Sequence, residues 1–182
     1  MQTIGFALFE TDAGCCGVSW SARGVSGVQL PEGDAERTRA RLRRRFPEAE
    51  ESAPPPQVQE AVGRIRALFR GEAADLSGVA LDADEVPAFE RRVYEVARSI
   101  PRGETLTYGE VAARLDGAGD ARAVGAALGR NPYPVIVPCH RVVAAGGKTG
   151  GFSARGGVQT KLKLLEMERA HAAAGLPLFD GR

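Results

Sequence analysis

The hydrophobic and polar positions of residues 1–83 alternate first in the manner of strands and then in the manner of helices. Residues 2–30 place apolar side chains at every second position and glycines at short intervals, which predicts short strands joined by tight turns. Residues 34–46 predict a helix with Asp34 at its N-cap, and residues 57–69 carry an apolar stripe at helical spacing. We therefore expect an α/β domain with a small antiparallel sheet and helices.

From residue 84 onward the pattern is mainly helical. Pro87 begins a helix with a single apolar stripe. A Thr-x-x-Glu capping box at Thr107 opens a second, shorter helix, and after a glycine-containing turn Asp120 can cap a third helix over residues 121–129. Two short helices joined by such a turn are typical of a helix-turn-helix, so residues 84–182 are predicted to form a second domain of that class.

Composition limits the class of protein. The chain has 182 residues, 43% of them hydrophobic, so one or two packed domains are expected. No apolar run approaches the ~20 residues of a membrane span, and the N-terminus lacks the pattern of a secretory signal. Three cysteines are too few and too unevenly placed for a disulfide framework. These features predict a cytoplasmic protein, or a nuclear one in a eukaryote, with no membrane partner.

Charge is distributed unevenly although the net charge is only +1. Residues 1–83 carry 10 basic and 12 acidic side chains, whereas residues 84–182 carry 14 and 11. The second half is therefore the more basic one. Binding of nucleic acid would therefore depend on a local basic surface, because the protein as a whole is not basic.

The strongest chemical signal is the stretch 131–143, which reads Asn-Pro-Tyr-Pro-Val-Ile-Val-Pro-Cys-His-Arg-Val-Val. Pro138 has no N–H and a fixed φ, so a regular strand should end there and place Cys139 on a constrained bend. A thiol is a good nucleophile only as the thiolate, and the adjacent His140 is a candidate base. In an arbitrary sequence the same pair is more often a buried thiol beside a surface imidazole.

Pro138-Cys-His-Arg-Val142, preceded by Asn131-Pro, resembles the active-site signature of the O6-alkylguanine-DNA alkyltransferases, also called methylated-DNA–protein-cysteine methyltransferases. The resemblance is strong over residues 85–170 and covers residues 1–84 only by general layout. It implies direct-reversal DNA repair, with irreversible transfer of one alkyl group per molecule from O6-alkylguanine, and potentially from O4-alkylthymine, to Cys139. The fold class that accompanies it is a ribonuclease H-like first domain and a winged-helix or helix-turn-helix second domain.

The same resemblance implies no cofactor, a monomeric protein, and double-stranded DNA carrying O6-alkylguanine as the partner. It gives the third predicted helix the role of a minor-groove helix. From composition alone, this helix of small residues would more often be a buried packing element. The resemblance instead implies that Arg122 holds the space of an extruded guanine. The residues expected to lie against DNA are Ala121, Arg122, Ala123, Gly125 and Ala126, together with Tyr108.

Roles in catalysis also follow from the resemblance. It implies that a water links His140 to Cys139 and that a glutamate orients His140. That glutamate is Glu168, with Glu166 as the competitor, because the family's carboxylate follows a Leu-Leu pair by three positions. Tyr108 is expected to donate to the guanine ring as the base leaves. Taken alone, a tyrosine in a first helical turn is more often an ordinary core or surface residue.

The predicted substrate pocket consists of Asn131, Val142, Phe152 and Ser153. By resemblance, Asn131 ties the helix-turn-helix to the cysteine segment, and the carbonyls of Cys139 and Val142 accept from the exocyclic amine of guanine. The Ser153 N–H is expected to face O6, and Phe152 to line the pocket. Arg141 is expected to form a structural ion pair.

Other interpretations remain open at this point. Cys15 and Cys16 lack the spacing of a metal site, and no histidine precedes residue 140, so no metal is predicted. A lesion-binding module without transfer, as in alkyltransferase-like proteins, would share the helix-turn-helix and the pocket but lack the cysteine. A Cys-His hydrolase would use the same pair for multiple turnovers, with an oxyanion hole.

Overall fold

The structure, a computed structural model, describes residues 3–168. The chain forms two compact units. The first extends to Val86 and also includes Pro132–Ile136, whereas the second comprises Pro87–Asn131 and residues 137–168. Within the described residues, the helices are all too short or too polar to pass through a bilayer.

The first unit is built on a four-stranded sheet in the order β3-β2-β1-β4. Strand β1 (Gly5–Thr11) pairs antiparallel with β2 (Gly14–Ser21), which pairs antiparallel with β3 (Gly24–Gln29). The short β4 (Glu50–Glu51) pairs parallel with β1. The predicted antiparallel sheet is therefore correct for three strands, but the whole sheet is mixed, because the chain crosses over through a helix before adding β4.

Two helices complete the first unit. Helix α1 (Ala35–Arg45) begins at Asp34, whose side chain accepts from the backbone N–H of Arg37, as the capping pattern predicted. Helix α2 (Pro56–Phe69) begins with proline in its first turn and buries one apolar face. That face consists of Val58, Ala61, Val62, Ile65, Leu68 and Phe69.

The second unit consists of short elements around a compact apolar centre. The elements are α3 (Ala88–Arg98), β5 (Leu106–Thr107), α4 (Tyr108–Ala113), α5 (Ala121–Gly129), a 3-10 turn (Cys139–Arg141), β6 (Val142–Val143) and α6 (Val158–Met167). Helix α5 has the predicted bounds, and the side chain of Asp120 caps it by accepting from the backbone N–H of Ala123.

A two-residue parallel pairing brings distant parts of the second unit together. Leu106 pairs with Val142, and Thr107 pairs with Val143. Thr107 is also the N-cap of α4, and the predicted capping box with Glu110 is present in both directions. The start of α4 is consequently held beside the end of the Cys139–Arg141 turn, more than 30 residues later in the chain.

Candidate active site

Cys139 lies at the start of the 3-10 turn that follows Pro138. Its backbone N–H donates to the carbonyl of Val137, 2.8 Å away, so the bend expected at the proline is present. The residue is 9% exposed and its thiol is free. Buried but reachable from a cavity, the sulfur has the placement expected of a nucleophile in a shaped pocket.

A cavity of about 520 Å³ opens in front of Cys139. This volume lies within the ~300–1,000 Å³ usual for small-molecule pockets. Its walls are Tyr108, Ala121, Arg122, Gly125, Leu128, Gly129, Cys139, Gly151, Phe152 and Ser153. The cavity therefore gathers side chains from α4, α5, the cysteine turn and the loop before α6.

Most residues predicted for DNA and substrate contact lie on this wall, but not all. Ala126 is exposed and Ala123 half-buried on α5, outside the lining set. Asn131 and Val142 do not line the cavity either. The side chain of Asn131 donates to the Val137 carbonyl over 3.0 Å, which joins the end of α5 to the cysteine segment. Val142 is fully buried in β6.

His140, Arg141 and Glu168 form a buried cluster that begins directly after Cys139 in the chain. The Nε2 atom of His140 lies 2.9 Å from Oε1 of Glu168, and both side chains have no exposed surface. Arg141 binds the same carboxylate through Nε and Nη2, at 2.9 and 2.7 Å, and its Nη1 donates to the Ile100 carbonyl. Glu166 is exposed, so Glu168 is the carboxylate at His140.

The imidazole of His140 is incompletely paired among the described residues. Its contact with Glu168 is close in distance but not aligned as a hydrogen bond, and Nδ1 has no protein partner. A buried ring nitrogen without a partner costs about 1–3 kcal/mol unless water satisfies it. This arrangement leaves a hydrogen-bonding position open at His140, next to Cys139 in the chain.

The electrostatic environments of the buried acid and the thiol differ. Burial alone would raise the pKa of Glu168, but the hydrogen bonds from Arg141, the close contact with His140 and the electrostatic interactions with both side chains lower it to about 2. Burial raises the pKa of the Cys139 thiol, and the Asn131 side chain, the Lys161 ammonium and two backbone N–H groups offset part of that rise. The thiol therefore needs a base in order to react readily.

Lys161 is the site residue that sequence reasoning missed. It is fully buried, and its Nζ donates to the carbonyls of Val142 (2.5 Å) and Gly151 (3.3 Å) and to the Tyr108 hydroxyl (3.4 Å). A signal was available in α6: Lys161 and Glu168 are the polar members of a buried face that otherwise holds Leu164 and Leu165. Charged residues at core positions of a helix are rare unless paired.

Tyr108 lies in the first turn of α4 and forms one wall of the cavity. Burial, and to a smaller extent the nearby Cys139, raises the pKa of its phenol. Tyr108 therefore keeps its proton at neutral pH and is able to donate it. Gly150 packs against this ring, because a Cβ there would lie 2.9 Å from both the hydroxyl oxygen and Cε2 of Tyr108.

Gly150→Ala should consequently slow the reaction of this site by on the order of tenfold, since displacement of a catalytic group by even 1 Å is costly. Gly146→Ala is the matched control. Both glycines have a left-handed φ, +74° and +70°, but a Cβ at Gly146 meets nothing within 4 Å. Single-turnover rates and thermal unfolding of both variants would be compared; equal rates for the two variants would contradict the prediction.

Known proteins resemble this chain in sequence. The profile of the family described as "6-O-methylguanine DNA methyltransferase, DNA binding domain" matches residues 88–170. A methylated-DNA–protein-cysteine methyltransferase of Methanothermobacter thermautotrophicus is 40% identical over 152 residues, which are 84% of this chain and 78% of the relative. The protein of the same name in Mycobacterium tuberculosis is 46% identical over 120 residues, 66% of this chain and 70% of the relative.

Solved structures agree with these sequence matches. Mycobacterium tuberculosis OGT, crystallised in complex with DNA, has a TM-score of 0.74 at 34% identity, covering 97% of this chain and 100% of that one. The O6-methylguanine-DNA methyltransferase of Pyrococcus kodakaraensis has a TM-score of 0.70 at 29% identity, covering 90% and 98%. The likeness therefore extends over both units of the fold.

Proposed function

The chain belongs to the methylated-DNA–protein-cysteine methyltransferases, and on that premise we propose which of its residues carry out the transfer. It is a direct-reversal DNA repair enzyme that takes an alkyl group from DNA onto a cysteine. One observation supports Cys139 as the acceptor: its residue lines the cavity described above, and Cys15 and Cys16 are not among the lining residues of that cavity. Cys15 and Cys16 lie in β2 of the first unit.

The proposed reaction is an in-line displacement. The Cys139 sulfur attacks the alkyl carbon on O6 of guanine while the bond from carbon to O6 breaks, and the electron pair of that bond stays on the purine. His140 takes the thiol proton through a water at Nδ1, which has no partner among residues 3–168. The Tyr108 hydroxyl donates a proton to the guanine ring, so that guanine leaves as a neutral base, and the Tyr108 phenolate then takes up a proton from solvent. A stable thioether remains, and each molecule reacts once.

Glu168 is the proposed orienting group for His140. Its carboxylate stays ionised at neutral pH, as its pKa of about 2 requires, and faces the imidazole at 2.9 Å. An ionised carboxylate there stabilises the imidazolium that forms when His140 accepts the proton. Arg141 holds the carboxylate through two parallel hydrogen bonds and does not face the reacting atoms in this proposal.

The face of α5 that lines the cavity supports a DNA-contact role. Ala121, Arg122, Gly125 and Gly129 line the cavity with no bulky aliphatic side chain among them; Leu128 is the one aliphatic side chain that α5 adds to this wall, and Val124 is buried on the helix. Small side chains allow a DNA groove to approach this helix closely, and Arg122 is the one long, positively charged side chain among them. We assign Arg122 to the space left by the extruded guanine, with Phe152 and Ser153 against the base itself.

Arg122→Ala should lose roughly tenfold or more of its transfer rate on duplex DNA, because unstacking a base costs a few kcal/mol that Arg122 offsets. Its rate on the free alkylated base should change much less, since no extrusion is required. Arg41→Ala, an exposed arginine of α1, serves as the control. Equal losses of Arg122→Ala on both substrates would contradict the assignment to extrusion.

We also propose a finer fold class, a lesion, an oligomeric state and a cellular compartment for this protein. We place the first unit in the ribonuclease H-like class and the second in the winged-helix class, on the basis of the mixed sheet and of the α4–α5 pair. O6-alkylguanine in duplex DNA is the proposed lesion and a monomer the proposed active form. A reducing compartment, the cytoplasm, suits a nucleophilic thiol.

Mass spectrometry tests the central proposal. The protein would be incubated with a duplex containing O6-methylguanine, digested and analysed peptide by peptide. We expect the Cys139 peptide to gain the mass of a methyl group in place of a hydrogen, at no more than one methyl per protein. An unmodified peptide with retained DNA binding would leave only a lesion-binding module, and product in excess of protein would favour a hydrolase.

A further inference from the structure

We propose that Lys161 is a positioning residue of the transfer reaction, whose ammonium holds the Tyr108 hydroxyl and the Gly151 wall in place around the substrate. The proposal concerns the same cavity and rests on the function proposed above. Lys161 does not line the cavity and touches neither substrate nor the reacting carbon in this proposal. It acts through two residues that do line it.

The contacts of Lys161 account for all the protons of an ammonium group. An ammonium has three N–H donors, and three acceptors surround this one: the carbonyls of Val142 and Gly151 and the hydroxyl of Tyr108. The same nitrogen lies 5.5 Å from the centre of the Tyr108 ring. The Nζ atom of Lys161 thereby joins three separate elements: β6, the loop before α6, and α4.

Packing alone does not explain a lysine at this position. Leu164 and Leu165 fill the neighbouring positions on the buried face of α6, and an apolar side chain at 161 would continue that face. Burial of a cation is costly unless it is paired and hydrogen-bonded. The partners of this cation include two wall residues of the cavity, which indicates a role at the site.

The charge on Lys161 should be lost within an accessible pH range. Burial lowers its pKa to about 8, although the nearby Cys139 acts in the opposite direction. The titratable groups that face it are Tyr108 from α4 and Cys139 from the 3-10 turn, whereas β6 and the loop before α6 present carbonyl oxygens. A neutral amine has one donor fewer, so the three-way contact weakens above about pH 8.

Stability and activity should respond in opposite directions. The folded pKa of about 8 is below the ordinary value of 10.5, so burying Lys161 is penalised most below pH 8. Between these two values the unfolded chain binds more protons, and the contribution of Lys161 to the free energy of unfolding rises with pH. If Lys161 had only a structural role, the transfer rate would therefore not fall as the pH rises above about 8.

The test compares Lys161→Met with Lys163→Met, an exposed lysine of the same helix. Single-turnover methyl transfer from a methylated duplex would be followed from about pH 6 to about pH 9, where Tyr108 keeps its proton because burial raises its pKa above the ordinary phenol value, with thermal unfolding measured in parallel. We expect Lys161→Met to lose roughly tenfold or more at neutral pH. The advantage of the wild type should shrink above about pH 8, and Lys163→Met should match the wild type.

Two outcomes would overturn the inference: transfer by Lys161→Met at the wild-type rate, or a constant ratio of the two rates across the whole pH range. Should Lys161→Met fail to fold, the wild-type profile decides alone. The transfer rate of the wild type must stop rising near pH 8, whereas ionisation of Cys139 by itself would keep that rate rising above pH 8. Wild type that leaves its Cys139 peptide unmethylated would instead contradict the proposed function.

Discussion

Cys139→Ala is expected to bind methylated duplex DNA and to accept no methyl group at any protein concentration. The alanine keeps the backbone of the 3-10 turn and leaves the cavity open, but the atom that would form the new bond to carbon is gone. No other sulfur replaces it, because Cys15 and Cys16 are buried in a different unit of the fold. The effect should therefore be complete loss rather than a reduced rate.

The measurement is transfer of an isotopically labelled methyl group from DNA to protein, with DNA binding followed by a gel-shift or anisotropy assay. Cys15→Ala is the control, since it removes another buried thiol. It should transfer stoichiometrically. Labelled protein in the Cys139→Ala sample would mean that a different residue is the acceptor, and the assignment of the site would have to be abandoned.

Glu168→Gln is expected to have the second largest effect, on stability and on transfer together. The substitution keeps the shape of the side chain but removes the charge that Arg141 and His140 face. Breaking a buried ion pair by removing one partner typically costs about 3–5 kcal/mol, because the other charge stays buried. Loss of the orienting carboxylate should also slow proton removal from Cys139, by on the order of a hundredfold.

The pH dependence of stability gives an independent check on Glu168. Its folded pKa of about 2 is below the ordinary value of 4.5, so its contribution is present above pH 4.5 and is lost as the pH falls toward 2. A shift of this size corresponds to roughly 3 kcal/mol. Denaturant unfolding at several acidic pH values should show this loss in the wild type, and Glu168→Gln should lack it.

Glu166→Gln is the matched control, because Glu166 lies two residues earlier on the exposed side of the same helix. Its stability and its transfer rate should remain close to those of the wild type, as is usual for surface substitutions. Similar losses in both variants would show that the helix as a whole, and not the carboxylate at His140, accounts for the result.

Local features of the fold were predictable because their causes are local. Asp34, Asp120 and the Thr107–Glu110 pair each satisfy backbone N–H groups within the next three residues, so a short window of sequence contains both partners. Helix α5 accordingly has the predicted bounds. The position of Cys139 on a bend follows in the same way from the proline directly before it.

Features that depend on distant partners were missed. Strand β4 has two residues, too few for any periodic pattern, and its parallel pairing depends on β1 more than 40 residues earlier. Residues 132–136 belong to the first unit although the chain around them belongs to the second. Lys161 donates hydrogen bonds to Gly151, Val142 and Tyr108, which lie 10, 19 and 53 residues away in the chain.

The sequence by itself was enough to predict where several helices start, the bend at Cys139 and the family, because the residues that indicate each of these are contiguous in the chain. The tertiary structure alone decided that a cavity opens at Cys139, that the Glu168 carboxylate lies 2.9 Å from His140, and that Lys161 is buried against Tyr108. Those outcomes depend on how α6 and the β5–β6 pair pack against the cysteine turn. Packing depends on contacts between residues that are far apart in the chain, so no short window of residues contains the information that decides it.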